Sequence, residues 1–184
     1  MEFLRDLFNR LFSILPRLVI VAPDEGGVFI RCGRLKKSVG PGVYLLLPWV
    51  DELLYVNVME RVIDLRAQSI TTADGESVAV SGAISFAVLN VEKAILNVED
   101  FDATLQNYTL GVIAHYVNSK NFSEVIQVEK MAEGIVKLVR DRATREWGLK
   151  IHQVWITDNS KHKVIRVMGD KIGSVITTGE DENE

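Results

Sequence analysis

The sequence predicts an α+β domain, an antiparallel-rich sheet packed with helices and preceded by an amphipathic N-terminal helix. Three observations predict it. All four prolines lie at or before Pro48, so the early chain is bent and strand-rich and longer elements can run unbroken after it. Val78, Val80, Gly82, Ile84, Phe86 and Val88 alternate with mostly small residues, the period of a strand with one face in a core. Residues 129–147 then carry acids first (Glu129, Glu133) and bases late (Lys137, Arg140, Arg142, Arg145), the order that complements a helix dipole.

The first element is helical. Phe3, Leu4, Leu7, Phe8, Leu11, Phe12, Ile14 and Leu15 recur at spacings of three and four, with Glu2, Arg5, Asp6, Asn9, Arg10 and Ser13 opposite. This is an amphipathic helix over 1–15, stopped by Pro16. Three of the seven phenylalanines lie in it, and a Phe/Leu face against mixed charge suits a membrane interface. Packing on the domain itself or on a partner helix is the alternative use of such a face. The short run Leu18–Ala22 comes after Arg17 and is compatible with shallow insertion, not a full crossing. Val19–Ala22 and Val28–Cys32 read as strands around a turn at Pro23–Gly27, and Gly40–Gly42 as a second turn. Val43–Leu47 reads as a short buried strand, and Leu53–Val58 and Arg61–Ile70 as the next two. Ala73-Asp74-Gly75 is a hairpin turn with Gly75 free to take a positive φ.

Helical spacing covers Val91–Val98 and Asp100–Val117, the latter with Phe101, Leu105, Tyr108, Val112, Ile113 and Tyr116 on one side. Asn121-Phe-Ser123 reads as the cap of a short turn over Glu124–Gln127. Glu129–Trp147 is the longest helix, ended by Gly148, and Lys150–Thr157 is a returning strand. Val164, Met168, Ile172 and Val175 keep helical spacing for a few more turns, weakened by Gly169 and Gly173. The expected layout is a membrane-associating segment at 1–17, the domain at 18–159, a short helix at 160–178 and an acidic tail at 179–184.

The net charge of −4 comes from the tail: without Glu180, Asp181, Glu182 and Glu184 the 184-residue chain is neutral. Those acids read as a solvated end. No basic face is called for, so nucleic acid is not an expected partner. A hydrophobic fraction of 47% supports a real core and excludes global disorder. No stretch of about 18 apolar residues occurs, and charges at Glu2, Arg5, Asp6 and Arg10 break any signal-peptide core.

Catalytic chemistry is not assembled by any motif. There is no GxGxxG or GxxxxGK[ST]. His115, His152 and His162 are not at metal-ligand spacing, and His115 reads as a packed or surface histidine. Asp100 and Asp102 read as capping and dipole partners. Asp51 and Glu52 have no evident partner, and the single cysteine, Cys32, is expected to be buried and inert. No cofactor, metal or catalytic residue is expected.

Five collinear stretches resemble the stomatin/prohibitin (SPFH, band 7) family, and within it the stomatin branch. They are VAPDEGGVFIRCGR at 21–34, GPGVYLLLPWVDEL at 40–53, the long segment ERVIDLRAQSITTADG through ILNV at 60–98, SKNFSEVI at 119–126 and ATREWGLKIHQVWITDN at 143–159. The resemblance spans about 18–168 and implies an SPFH/band 7 domain, whose antiparallel-rich sheet is curved and packed with helices. It implies a non-enzymatic, membrane-associated scaffold, peripheral or monotopic and on the cytoplasmic face. Its implied partners are membrane lipids, further copies of the chain or other SPFH proteins, and a client such as a membrane protease or channel. The runner-up is a soluble modulator that docks on a full-length relative or membrane protease. Two departures stand out. The amphipathic 1–15 segment stands where stomatins carry a long apolar hairpin, with Phe3, Leu4, Leu7, Phe8, Leu11, Phe12 and Leu15 as its lipid-facing residues. The stripe Val164, Met168, Ile172, Val175 stands where they carry a long Ala- and Glu-rich helix, and is the expected oligomerisation surface.

Overall fold

A computed structural model describes residues 15–161. Strands β1 (Arg17–Val21), β2 (Glu25–Arg31), β3 (Arg34–Val39), β4 (Gly42–Leu46) and β5 (Asp51–Asn57) come first, then the long pair β6 (Arg61–Thr71) and β7 (Ser77–Val88). Helices α1 (Val91–Leu96), α2 (Phe101–Asn118), α3 (Phe122–Val125) and α4 (Val128–Glu146) come next, and β8 (Leu149–Lys161) returns. The strands form three antiparallel ladders, β1-β4, β3-β2-β5 and β6-β7-β8. This is the antiparallel, mixed α+β architecture that the alternating and helical patterns predict.

The core lies where β7 meets α2 and α4. Val78, Val80, Ile84 and Phe86 from β7 are 0–1% exposed, and so are Leu105, Ile113 and Val117 from α2 and Met131, Ile135 and Val139 from α4. Both helix sets recur every four residues, the spacing that keeps side chains on one face. The buried line of α2 runs Leu105, Thr109, Ile113, Val117, slightly rotated from the predicted face. Thr109 is tolerated there because its hydroxyl donates to the Leu105 carbonyl at 2.7 Å.

Asp100 caps α2 as predicted, accepting from the Ala103 amide at 3.0 Å. Gly148 ends the helix run at φ +68, a conformation costly for any residue with a Cβ. Its carbonyl accepts from the Leu89 and Asn90 amides, both at 2.9 Å, and so ties α4 to the end of β7. Gly75 takes φ +85 in the β6–β7 hairpin, as expected.

Three sequence expectations are corrected, and one segment that carried no predicted element is a strand. Gly26 and Gly27 are not turn residues; they lie inside β2, where an added Cβ would meet Val91 Cγ2 at 2.6 Å and the Leu54 carbonyl oxygen at 2.9 Å. The glycines serve close approach, which sequence cannot tell from turning. Arg34–Val39 is a strand although its composition is basic, because β2 supplies its partner. Asn121 stands at the N-cap position of α3 but makes no side-chain cap bond; the Asp74 carboxylate, from the distant hairpin, accepts from the Phe122 amide at 3.1 Å instead. Finally, β8 extends to Lys161, past the expected end at Thr157, because it stays paired with β7 as far as Val78.

Replacing Ile135, wholly buried in the core, by alanine removes core volume that the surroundings refill only in part. The variant is expected to lose about 2–5 kcal/mol of unfolding free energy in urea titration. A loss inside the error of the titration would displace the core from this face of α4.

Candidate functional site

β1 and β4 form a two-stranded ribbon with apolar residues on both faces. On the inner face Val21 and Leu46 are buried, with Val19 and Tyr44 half-buried. On the outer face the register sets Leu18 opposite Leu45 and Ile20 opposite Val43. These four are 67%, 58%, 73% and 65% exposed, a contiguous apolar surface rather than a scatter of single residues. Val43–Leu47 is therefore not the buried strand expected from its composition. An apolar strand in a two-stranded ribbon has one face too many to bury.

The apolar surface continues past one end of the ribbon. Leu15, two residues before β1, is 55% exposed, and Leu47, just after β4, is 41% exposed. Beyond it Trp49 is 89% exposed and sits at φ +74, a left-handed conformation that non-glycine residues seldom adopt. The turn is held from behind. The Asp51 amide donates to the Leu47 carbonyl at 2.9 Å, and the Asp51 carboxylate accepts from the Leu47 amide at 3.0 Å. Arg31 closes on the same carboxylate with two bonds, Nε at 2.6 Å and Nη2 at 2.8 Å. The Asp51 side chain is wholly covered by these partners. The Arg31 hydrogen bond holds the Asp51 carboxyl below its ordinary value and raises the guanidinium. Asp51 thus has the partner that sequence spacing did not show.

The Cys32-Gly33 turn lies beside Trp49, with Ile30, Val50 and Glu52 completing a small hollow. Cys32 is exposed, not buried as expected, at φ +51 in the β2–β3 turn. Arg31 and Arg34 flank it and are solvent-exposed. One end of the domain therefore shows a bare tryptophan, exposed leucines and two arginines. Tryptophan at a polar–apolar boundary with arginine heads beside it is the composition that favours a lipid–water interface.

Of the sequence-predicted residues, Leu15 alone can be placed, at the entrance to the ribbon. Phe3, Leu4, Leu7, Phe8, Leu11 and Phe12, and the stripe Val164, Met168, Ile172 and Val175, lie outside the described residues. Sequence reading missed Val43, Leu45 and Trp49. Their signal was present in the apolar run Val43–Leu47 ending in Pro-Trp, but only the pairing with Leu18 and Ile20 shows that one face is left bare. Among the described residues no helix is long and apolar enough to cross a membrane, and no three metal-ligating side chains converge.

The sequence model of the SPFH domain / Band 7 family matches residues 19–175. An uncharacterised protein of Methanocaldococcus jannaschii is 31% identical over 148 residues, 80% of this chain and 74% of the relative. Mouse stomatin is 26% identical over 79% of this chain and 52% of its own length. A stomatin homolog of Pyrococcus horikoshii is 24% identical over 80% of this chain and 56% of its own. The chain thus spans about half the length of these two stomatin relatives.

Replacing Asp51 by alanine should free the Trp49 turn, and hydrogen exchange of the Leu47 amide should become faster at neutral pH. Unchanged protection would show that the turn holds without the carboxylate. In the wild type the contribution of Asp51 is complete above its ordinary pKa of 3.8 and is lost as the pH falls below that towards the depressed value. The Arg31 Nε–H resonance is expected to shift in that acid window and to show no such titration in D51A.

Proposed function

Because the chain belongs to the SPFH domain / Band 7 family, we propose that it is a stomatin-like, non-enzymatic scaffold that attaches to a membrane surface through the bare face of the β1–β4 ribbon. The observation that carries this reading is the row Leu18, Ile20, Val43 and Leu45, all more than half exposed and continuous with Leu15 and Trp49. In water such a face is unfavourable; at the boundary of lipid headgroups and acyl chains it is buried. Arg34 then lies at headgroup level, where it attracts anionic lipid, while Arg31 stays on Asp51. Family membership and the names of the stomatin relatives support membrane association in general.

In this reading residues 1–17 lie in the same interface. Their apolar row Phe3, Leu4, Leu7, Phe8, Leu11, Phe12, Leu15 runs directly into Leu18 and Ile20, so segment and ribbon form one continuous anchor. Protomers held on the surface pack side by side through the stripe Val164, Met168, Ile172 and Val175, either as homo-oligomers or with other SPFH proteins. Surface attachment raises local concentration, so weak contacts suffice there. The scaffold's role is to organise lipids or modulate membrane proteins.

Flotation on vesicles containing anionic lipid tests the anchor. Ile20→Asp with Leu45→Asp leaves the core untouched and places two charges on the bare face. Withdrawing each apolar side chain from lipid should cost about 1.5–3 kcal/mol, so the pair should lower partitioning about a hundredfold or more. Phe8→Asp with Leu11→Asp should act in the same direction. Wild-type flotation by the ribbon variant would remove the ribbon as an anchor. Failure of the wild-type protein to float would leave the docking-module reading in front.

A further inference from the structure

A second apolar surface lies far from the ribbon in sequence. It is a groove of about 1070 Å³ between α4 and the strand β8. α4 has two apolar rows. Met131, Ile135, Val139 and Ala143 are buried in the core. Val128, Ala132 and Val136, again four residues apart, line the groove instead, and Ile156 and Trp155 from β8 complete it. Val128 and Trp155 are 37% and 39% exposed. β8 pairs with β7 on one side only, so among the described residues the groove runs along an open sheet edge.

The groove has a direction, marked by charge. Thr144 donates to the Leu149 carbonyl at 2.9 Å, and Asn159 donates to the Val125 carbonyl at 2.7 Å. The start of β8 therefore lies beside the end of α4, and the end of β8 beside its beginning. Glu129 and Glu133 line the end where β8 finishes, Arg140 and Arg145 line the other, and Lys137 stands midway. Asp141 is the acid at the basic end, and it is paired with Arg145 at 2.8 Å.

The described chain leaves at Lys161, at the acidic end. Residues 162–184 carry the complementary order. His162, Lys163 and Arg166 come first, the apolar stripe Val164, Met168, Ile172, Val175 runs through the middle with the adjacent opposite charges Asp170 and Lys171 beside it, and the acids Glu180, Asp181, Glu182 and Glu184 come last. As a helix, residues 164–178 would span about 22 Å at 1.5 Å per residue, against about 28 Å for the 19 residues of α4. A segment turned back along the groove would set bases against Glu129 and Glu133 and bring the acids of the tail to the end marked by Arg140 and Arg145. Only residues 162 and 163 separate β8 from the stripe, and so short a tether gives an effective concentration of about millimolar. A second copy in dilute solution does not reach that.

We infer that the α4–β8 groove is the docking site of the chain's own segment 162–178, which lies parallel to α4 with its apolar stripe on Val128, Ala132, Val136 and Trp155. The docked stripe is then unavailable to a neighbouring protomer. Closed single chains and assembled ones compete for the same four side chains, and the acidic tail acts as the latch at the basic end. This does not depend on membrane attachment, and the test uses dilute protein without lipid.

The test uses the full chain in a Cys32→Ser background, with one nitroxide label at Lys163→Cys or at Ser174→Cys, read by amide NMR. The label at 174 is expected to erase the Thr144 and His152 signals, and the label at 163, held near Val128 and Ile156 by its short link to β8, is the reference for the near end. Lys163→Glu with Arg166→Glu, read with the label at 174, should restore the lost signals. Adding Glu129→Lys and Glu133→Lys to that variant should erase them again. Unselective broadening, or the opposite end responding to each label, overturns the inference. So does broadening seen only when isotope-labelled and spin-labelled molecules are mixed, which would assign the groove to a second copy. Amide signals far from the groove, such as those of Val28 and Val78, report in each sample that the domain is folded.

Discussion

The face that β7 turns towards α2 and α4 is the constraint on which the other elements depend. Val78, Val80, Ile84 and Phe86 are removed from water only if both helices lie across them. That requirement sets the path of the chain. α2 and α4 must run side by side, close enough that a Cβ on Gly134 would stand 2.8 Å from the Tyr116 ring. Gly148 must then reverse the chain within one residue so that β8 can pair with β7. Burial of this kind contributes most of the stabilising free energy of a domain this size.

The β1–β4 ribbon stands outside that arrangement and obeys a different limit. A two-stranded ribbon is marginal alone and is stabilised by packing one face. Val21 and Leu46 take that place, which forces Leu18, Ile20, Val43 and Leu45 outward by strand alternation. The exposed face is thus a consequence of apolar residues at consecutive positions in both strands. The turn beyond it is held by hydrogen bonds from Asp51 and Arg31, which keep Trp49 in a left-handed conformation at the tip. The ribbon and its tip act as one surface because polar contacts lie behind it and apolar groups in front.

α4 shows how one helix can serve two surfaces. Its core row and its groove row are offset by about one residue, so the helix is apolar over a wide arc. The acid-to-base order along it stabilises the helix through its dipole and also gives the groove a polarity.

The sequence by itself determined the periods, and with them the α+β class, the order of the long elements, the positive φ at Gly75 and the stop at Gly148. These are local: alternation, four-residue spacing and glycine conformation need no partner to be read. It also carried the motifs that resemble the SPFH family, to which the chain belongs. Tertiary structure decided which apolar strand stays bare, because exposure of Val43 and Leu45 depends on what covers the ribbon and not on their composition. It decided that Gly26 and Gly27 sit in a strand, that the Asp74 carboxylate and not the Asn121 side chain accepts the Phe122 amide at the start of α3, and that Asp51 pairs with Arg31 across twenty residues of sequence. Each of these is a contact between segments far apart in the chain, and no local pattern specifies which distant partner arrives.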